Sequence, residues 1–478
     1  MRVSKYFKLD RSQPTLDFVD VDVTNDTPLF ISPRALLLLS SDWGNECVHL
    51  VQNFFETILS HIKAGNQSSA EALLRALREP NETHLGLSQG RSRGRALGSS
   101  SAHDVWGALS RSVAARSGLL KDLEDTVLMV EGISVDIVSD IATNIIRGPL
   151  IRYTQEMATQ YGLPLQEGVA SGPLWDSGSR SWSTGFTHLP MTTSGKLLLV
   201  PKAIVRHHLE YDTEEYYRHY LLEHLRQVEL DANSGLVELL KNKNRRVTKK
   251  KLIEKYGAGK TTIVRETLKY PEVLEKYRKA KRDKPHLALQ HEEIAEVEGA
   301  DARPDWDDLL NTVKAVVHGP NEASQYERAV EALLSALFYP VLVFPNVQHE
   351  IHDGRKRIDI TYTNMATEGF FQWLATHYTA PLIFVECKNY GREVGNPELD
   401  QISGRFSRSR GQVGILVCRS FVDKEKFLQR CRDTASDGRG YVIALDDDDL
   451  ATLVNVRRSE PTFSAWSALR ERFLMLVS

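Results

Sequence analysis

Apolar residues recur along this chain with two distinct periods. Through residues 45–63, 70–78, 102–120, 133–161 and 213–228 they fall at helical spacing between polar connections, which predicts a mainly helical N-terminal domain over residues 1–235. Two stretches interrupt that regime: residues 79–101, rich in Gly, Ser and Arg, and residues 162–185, rich in Gly, Ser and Trp. Both read as loops. Residues 196–206 contain LLLVPKAIV, a segment with strand propensity whose partner the sequence does not identify.

Beyond residue 321 the pattern sharpens. Residues 322–338, EASQYERAVEALLSALF, put Tyr326, Val330, Leu333, Leu334 and Leu337 on one helical face. Two β-prone runs, 346–352 and 355–363, flank Asp353-Gly354, which predicts a hairpin. A short helix over 367–378 leads through Pro381 into LIFVECKNY, apolar enough for a central buried strand. A helix over 396–408, the strand VGILVC, a helix over 423–432, the strand YVIAL and a closing helix over 462–476 complete the order. These alternating elements predict an α/β domain.

A length of 478 residues suggests two to four domains at about 100–200 residues each. Hydrophobic and charged fractions of 41% and 26% are near globular averages, which excludes global disorder. The net charge of only -3 conceals a strong asymmetry, because residues 241–284 hold 17 Lys or Arg against 5 Asp or Glu, a local balance of +12. That stretch marks a basic module over 236–290, where a polyanion would be met locally. The acidic stretch after it reads as a linker over 291–315, leaving 316–478 as the last domain. Cys47, Cys387, Cys418 and Cys431 form no CxxC pair, which argues against a disulfide framework or structural zinc and fits a reducing cytoplasm. No apolar run has signal-peptide or membrane-span length, so the expectation is a soluble, cytoplasmic protein without membrane association.

Candidate chemistry concentrates in the last domain. Glu and Lys are rarely buried, because desolvating an unpaired charge is costly, yet Glu386 and Lys388 interrupt a central strand. At positions i and i+2 they project to one face. Asp359 interrupts the second hairpin strand in the same way, and strand pairing could set its carboxylate beside Glu386. Two hard oxygen ligands at a strand end suit magnesium, which offsets the charge of a phosphodiester and activates water. Lys388 could orient or deprotonate that water and stabilise the transition state, with Gln401 and Arg405, one turn apart on the next helix, contacting substrate or water.

RID at Asp359, ECK at Glu386 and Lys388, and DQISGR with Gln401 resemble the PD-(D/E)XK nuclease superfamily, especially restriction-endonuclease-like and Mrr-type domains. Ile358 replaces the eponymous proline. The resemblance covers roughly residues 320–445 and implies a central mixed sheet flanked by helices. It also implies a divalent cofactor, Mg2+ with Mn2+ as a substitute, and a further metal ligand on the first core helix, where Glu327 stands with Glu331 as the next candidate.

In the basic module, GAGKTT at 257–262 imitates the end of a phosphate-binding loop, but the first glycine would fall at Glu254 and no strand precedes it, so no nucleotide cofactor is expected. A helix-turn-helix fits better: residues 248–256, Gly257 in the turn and residues 260–268, presenting Lys260, Thr261, Thr262 and Arg265 to DNA, against the alternative of a solvated basic helix pair. GRSRG at 90–94 reads as a surface loop, and the tryptophans of 173–182 as packing residues. The combined expectation is a multidomain, Mg-dependent DNA endonuclease serving restriction or defence. The alternatives are a non-catalytic DNA-binding scaffold and a repair or junction-resolving nuclease. Restriction-type nucleases often need two active sites for a double-strand break, which makes a homodimer compatible, although no sequence feature marks its interface.

Overall fold

The structure is a computed structural model, and it describes residues 1–39, 41–86, 99–284, 287–299, 303–351, 356–390, 393–460 and 466–478. The principal elements are labelled in chain order. In the N-terminal region, α1 (Asp42–Ala64) starts at Ser41, whose side chain accepts from Gly44 N, and ends at Gly65 with φ 71°. This is a hydroxyl N-cap and a left-handed glycine C-cap. The predicted helix over 133–161 divides at Ile146 into Val135–Ile145 and α2 (Arg147–Tyr161). That over 102–120 divides at Ser112 into Ser99–Arg111 and Val113–Ser117.

Residues 162–185 are not a loop. Gln166–Ala170 pairs with Phe186–Leu189, and Leu174–Asp176 pairs with Ser181–Ser183. Trp175 and Trp182 face each other across the second hairpin, with ring centroids 5.3 Å apart, and both pack on Phe54 of α1. Tertiary packing of two large rings thus overrides a Gly/Ser-rich composition. Within 196–206 only Gly195–Lys196 and Val205–Arg206 are strands; the latter pairs with Phe30–Ile31, the partner that the sequence left unidentified.

The basic stretch forms α3 (Lys249–Tyr256), α4 (Lys260–Lys269) and α5 (Pro271–Asp283), with Gly257 at φ 87° in the first turn. Leu252, Ile263, Val264, Leu274 and Tyr277 join the same apolar core as Leu50 and Ile58 of α1. The expected acidic linker is largely helical: His291–Glu298 and α6 (Trp306–Ala315). Its acidic residues act locally, because Glu293 accepts from Gln290 N and Asp305 caps Asp308 N, so the charge bias that suggested a linker stabilises helix starts.

The C-terminal part is built on one five-stranded sheet. Its elements are α7 (Ala323–Phe338), β1 (Leu342–Ile351), β2 (Lys356–Asn364), α8 (Gly369–His377), β3 (Leu382–Lys388), α9 (Asn396–Ser403), β4 (Val413–Cys418), α10 (Lys424–Ser436), β5 (Tyr441–Leu445), α11 (Asp447–Ser459) and α12 (Ser467–Val477). The sheet order is β1-β2-β3-β4-β5, antiparallel through β3 and parallel from β3 to β5, as a mixed sheet flanked by helices requires. The hairpin stands as predicted, although Asp353-Gly354 lies outside the described residues, as does GRSRG at 90–94. Helix α11 had no counterpart in the sequence reading; Asp446 caps it through Asp449 N.

The two halves meet through α7 and β1. Arg11 forms a 2.6 Å ion pair with Glu331, which is 1% exposed and also accepts from Ser335 Oγ. Asp17 accepts from Phe344 N at 2.9 Å and from the Tyr153 hydroxyl at 2.7 Å. The Lys202 ammonium lies 4.2 Å from the centre of the Tyr339 ring. Truncating Arg11 would leave a buried carboxylate without its cation. Arg11→Ala should therefore lower stability by about 3 kcal/mol in urea denaturation, and Arg11→Ala/Glu331→Gln should recover most of that loss. A double variant no more stable than the single one would show that the pair is not what holds this contact.

Candidate active site

Strand β3 is the centre of the sheet, and its inward charges stand where it leaves the antiparallel ladder. Pairing with β2 runs from Thr363↔Leu382 to Ile360↔Val385 and stops. Beyond that point the Asp359 carboxylate takes over, with Oδ2 accepting from Cys387 N at 2.8 Å. The same bond sets Asp359 at the residue next to Glu386, close enough for its charge to act on that carboxylate. Val385 and Cys387 go to the core under α7, whereas Phe384, Glu386 and Lys388 face the other way.

Helix α9 covers that second face at close range. Opposite Phe384 on β4 is Gly414, where an added Cβ would lie 2.8 Å from Ile402 Cδ1 and 3.1 Å from the Phe406 ring. With no side chain there, α9 settles onto the sheet and Gln401 reaches the charged pair. Lys388 Nζ donates to Glu386 Oε1 at 2.9 Å and to Gln401 Oε1 at 3.0 Å, while Gln401 Nε2 donates to Glu386 Oε1. Glu386 is 0% exposed and Lys388 7%. Glu386 Oε2 is buried with no hydrogen-bond partner among the described residues.

Electrostatics follow from this crowding. Burial, then the Asp359 charge, pushes Glu386 up from its ordinary 4.5 to about 7, against the pull of Lys388. Burial likewise raises Asp359. For Lys388 burial acts against the charged form, but Glu386 and Asp359 outweigh it and hold the ammonium above its ordinary value, so it is a cation. Arg405 adds a favourable charge to both carboxylates, from a position just past the end of α9 rather than on it.

Glu327 is half-buried on α7, and burial with the Asp359 charge pushes it to about 7. Its Oε2 accepts from Gln348 Nε2 at 2.7 Å. Among the described residues no group of three or more His, Cys, Asp or Glu side chains gathers as a metal cluster, so the three expected carboxylates are assembled only in part. Glu331, the next candidate, is taken by Arg11. Sequence reasoning missed Gln348, which sits at φ 55°, a left-handed conformation uncommon outside glycine that the sequence does not signal. It also missed Asn389, whose side-chain amide ties the end of β3 to the Val317 and Gly319 carbonyls.

The expected DNA-facing set on α4 is only partly exposed. Thr261 and Arg265 are at the surface; Thr262 is buried, and Lys260 donates to the Val130 and Ile133 carbonyls at 2.8 and 3.0 Å. The N-terminus of α4 is packed against the neighbouring helices, which removes these two from the face that could meet a partner. Arg265 pairs with Glu266.

Among the described residues no helix is long and apolar enough to cross a membrane, and all four cysteines are free and buried. A family described as "Domain of unknown function (DUF8370)" matches residues 8–212, and one described as "Restriction endonuclease" matches residues 321–454. No curated protein and no solved structure matches the chain. The second match spans the five-stranded sheet and every member of the Asp359, Glu386, Lys388 and Gln401 group, and residues 321–454 therefore form a restriction-endonuclease domain of the PD-(D/E)XK nuclease superfamily.

Proposed function

We propose that the chain is a metal-dependent DNA endonuclease acting in restriction or defence against foreign DNA, with Asp359, Glu386, Lys388 and Gln401 as its catalytic group. The observation that carries this reading is the buried Glu386 carboxylate, which shares one oxygen with Lys388 and Gln401 and whose other oxygen has no partner among the described residues. Such an oxygen set suits a hard divalent cation, Mg2+ or in its place Mn2+. Asp359 and Glu386 would hold it, with Glu327 as a third ligand. When bound, the cation offsets phosphate charge and lowers the pKa of a coordinated water.

The rest falls to the chain's own side chains. The Lys388 ammonium, kept cationic by two carboxylates, stabilises the negative charge that grows on the phosphorus oxygens in the transition state. Its raised pKa favours that role over general base, which needs the neutral amine. Gln401 fixes Glu386 and Lys388 at once through the two ends of its amide. Arg405, whose charge acts on both carboxylates, would help neutralise the phosphate. The basic helices α3 to α5, with Thr261 and Arg265 exposed, supply the local field for a polyanion. Placing the activity in defence rests on analogy with the superfamily.

Two measurements test this. Purified protein should cut plasmid, linear or single-stranded DNA with magnesium or manganese but not with EDTA, and Asp359→Ala and Lys388→Ala should each lower the rate by about 10²-fold or more. A folded wild type that cuts neither DNA nor RNA with any metal would favour a non-catalytic DNA-binding scaffold. Independently, the raised pKa of Glu386 means that its contribution to stability in EDTA is present below about pH 4.5 and is lost as pH rises through about 7. Glu386→Gln, unable to ionise, should gain stability relative to wild type between about pH 5 and pH 8 in urea titrations. Magnesium should reverse that gap at the higher pH by stabilising wild type alone.

A further inference from the structure

A cavity of about 670 Å³ lies between the two halves, beside the strands of the active site. Trp43 of α1, Tyr153 of α2 and Phe344 of β1 give it aromatic walls, with the Phe344 ring centre 5.6 Å from that of Trp43 and 5.8 Å from that of Tyr153. Phe344 is placed there by a bulge: the β1 register slips between Val343 and Asn346, φ is 53°, and the amide is held by Asp17. Bulges of this kind re-aim a side chain next to a site. Polar groups complete the lining, among them Gln160, Asn346 and Glu156. Gln160 Nε2 is buried and has no hydrogen-bond partner among the described residues.

The chemistry of these walls selects the occupant. Among the described lining residues there is no Lys or Arg, and Glu156 is a carboxylate, so the cavity does not suit a phosphate. Aromatic faces with amide and carboxyl groups at the edge suit a flat, uncharged ring that carries donors and acceptors. Thr361 also lines the cavity, two residues from Asp359 and on the same face of β2. That offset is roughly 7 Å along a strand, about two base steps of B-DNA. We propose that the cavity receives one unstacked nucleobase of the DNA strand being cut, stacked against Trp43 and Phe344 and read by Gln160 and Asn346.

The inference rests on the nuclease reading above, and the test separates the two. Full-length protein in calcium would be titrated with a fully paired duplex and with the same duplex carrying a mismatched bubble, in which the cost of unpairing is already met. The bubble should bind about tenfold more tightly, and Gln160→Ala and Trp43→Leu should remove that preference. Trp43→Phe, which retains a ring, should preserve it if Trp43→Leu fails to fold. Equal affinity for the two duplexes, or a preference unchanged in Gln160→Ala and Trp43→Leu, overturns the base pocket and leaves the nuclease reading standing. Free deoxynucleosides that bind in a Gln160-dependent way, with no bubble preference, would make the cavity a site for a soluble nucleoside and also overturn it. Failure to bind or cut any DNA would overturn both.

Discussion

The C-terminal domain is organised around two charges placed inside a β-sheet. Glu386 and Lys388 sit on a strand paired on both sides and covered by helices on both faces, where an isolated ion would be strongly disfavoured. Their mutual contact answers only part of that cost. Gln401 bonds to both, Arg405 adds charge from beyond α9, and Asp359 enters the gap left where the ladder with β2 ends. Among the described residues one carboxylate oxygen is still left without a partner. Two carboxylates, a lysine and an arginine are thus held within one sheet-and-helix layer, each limiting where the others can settle.

A second buried charge pair governs how the halves adhere. Arg11 and Glu331, with Asp17 and Lys202 nearby, fasten the N-terminal region to α7 and to the bulge of β1. Those are the elements that carry Glu327 and Gln348. The residues matching the first family, 8–212, include Arg11, Asp17, Tyr153 and Lys202, so that region contributes directly to the surroundings of the nuclease sheet. A displacement of this interface would be felt first at α7, through Glu327, and at Phe344.

Much of the C-terminal fold was legible because its signals are local. The period of α7, the hairpin, the apolar runs of β3, β4 and β5, and the coupling of Glu386 with Lys388 two residues apart all follow from spacing within a single segment. What escaped depends on distant partners. The Trp175/Trp182 hairpin needs Phe54, more than a hundred residues earlier, to become favourable. Acidic residues at 291–308 looked like a linker because their role as helix caps depends on backbone geometry. Thr262 looked exposed because its helix was read alone, without the neighbours that bury it. Gln348 was invisible because its side chain matters only through a left-handed backbone that no residue type announced.

Gly414 carries a constraint of another kind. It performs no chemistry and bonds to nothing in the site, yet the approach of α9, and with it the reach of Gln401, depends on the absence of a side chain there. Alanine, the smallest replacement, would already press on Ile402 and Phe406. Both of those residues also seat α9, so relieving the clash would shift the surface on which Gln401 is carried. A residue with no side chain thereby sets how far an amide on the neighbouring helix can reach toward a buried charge pair.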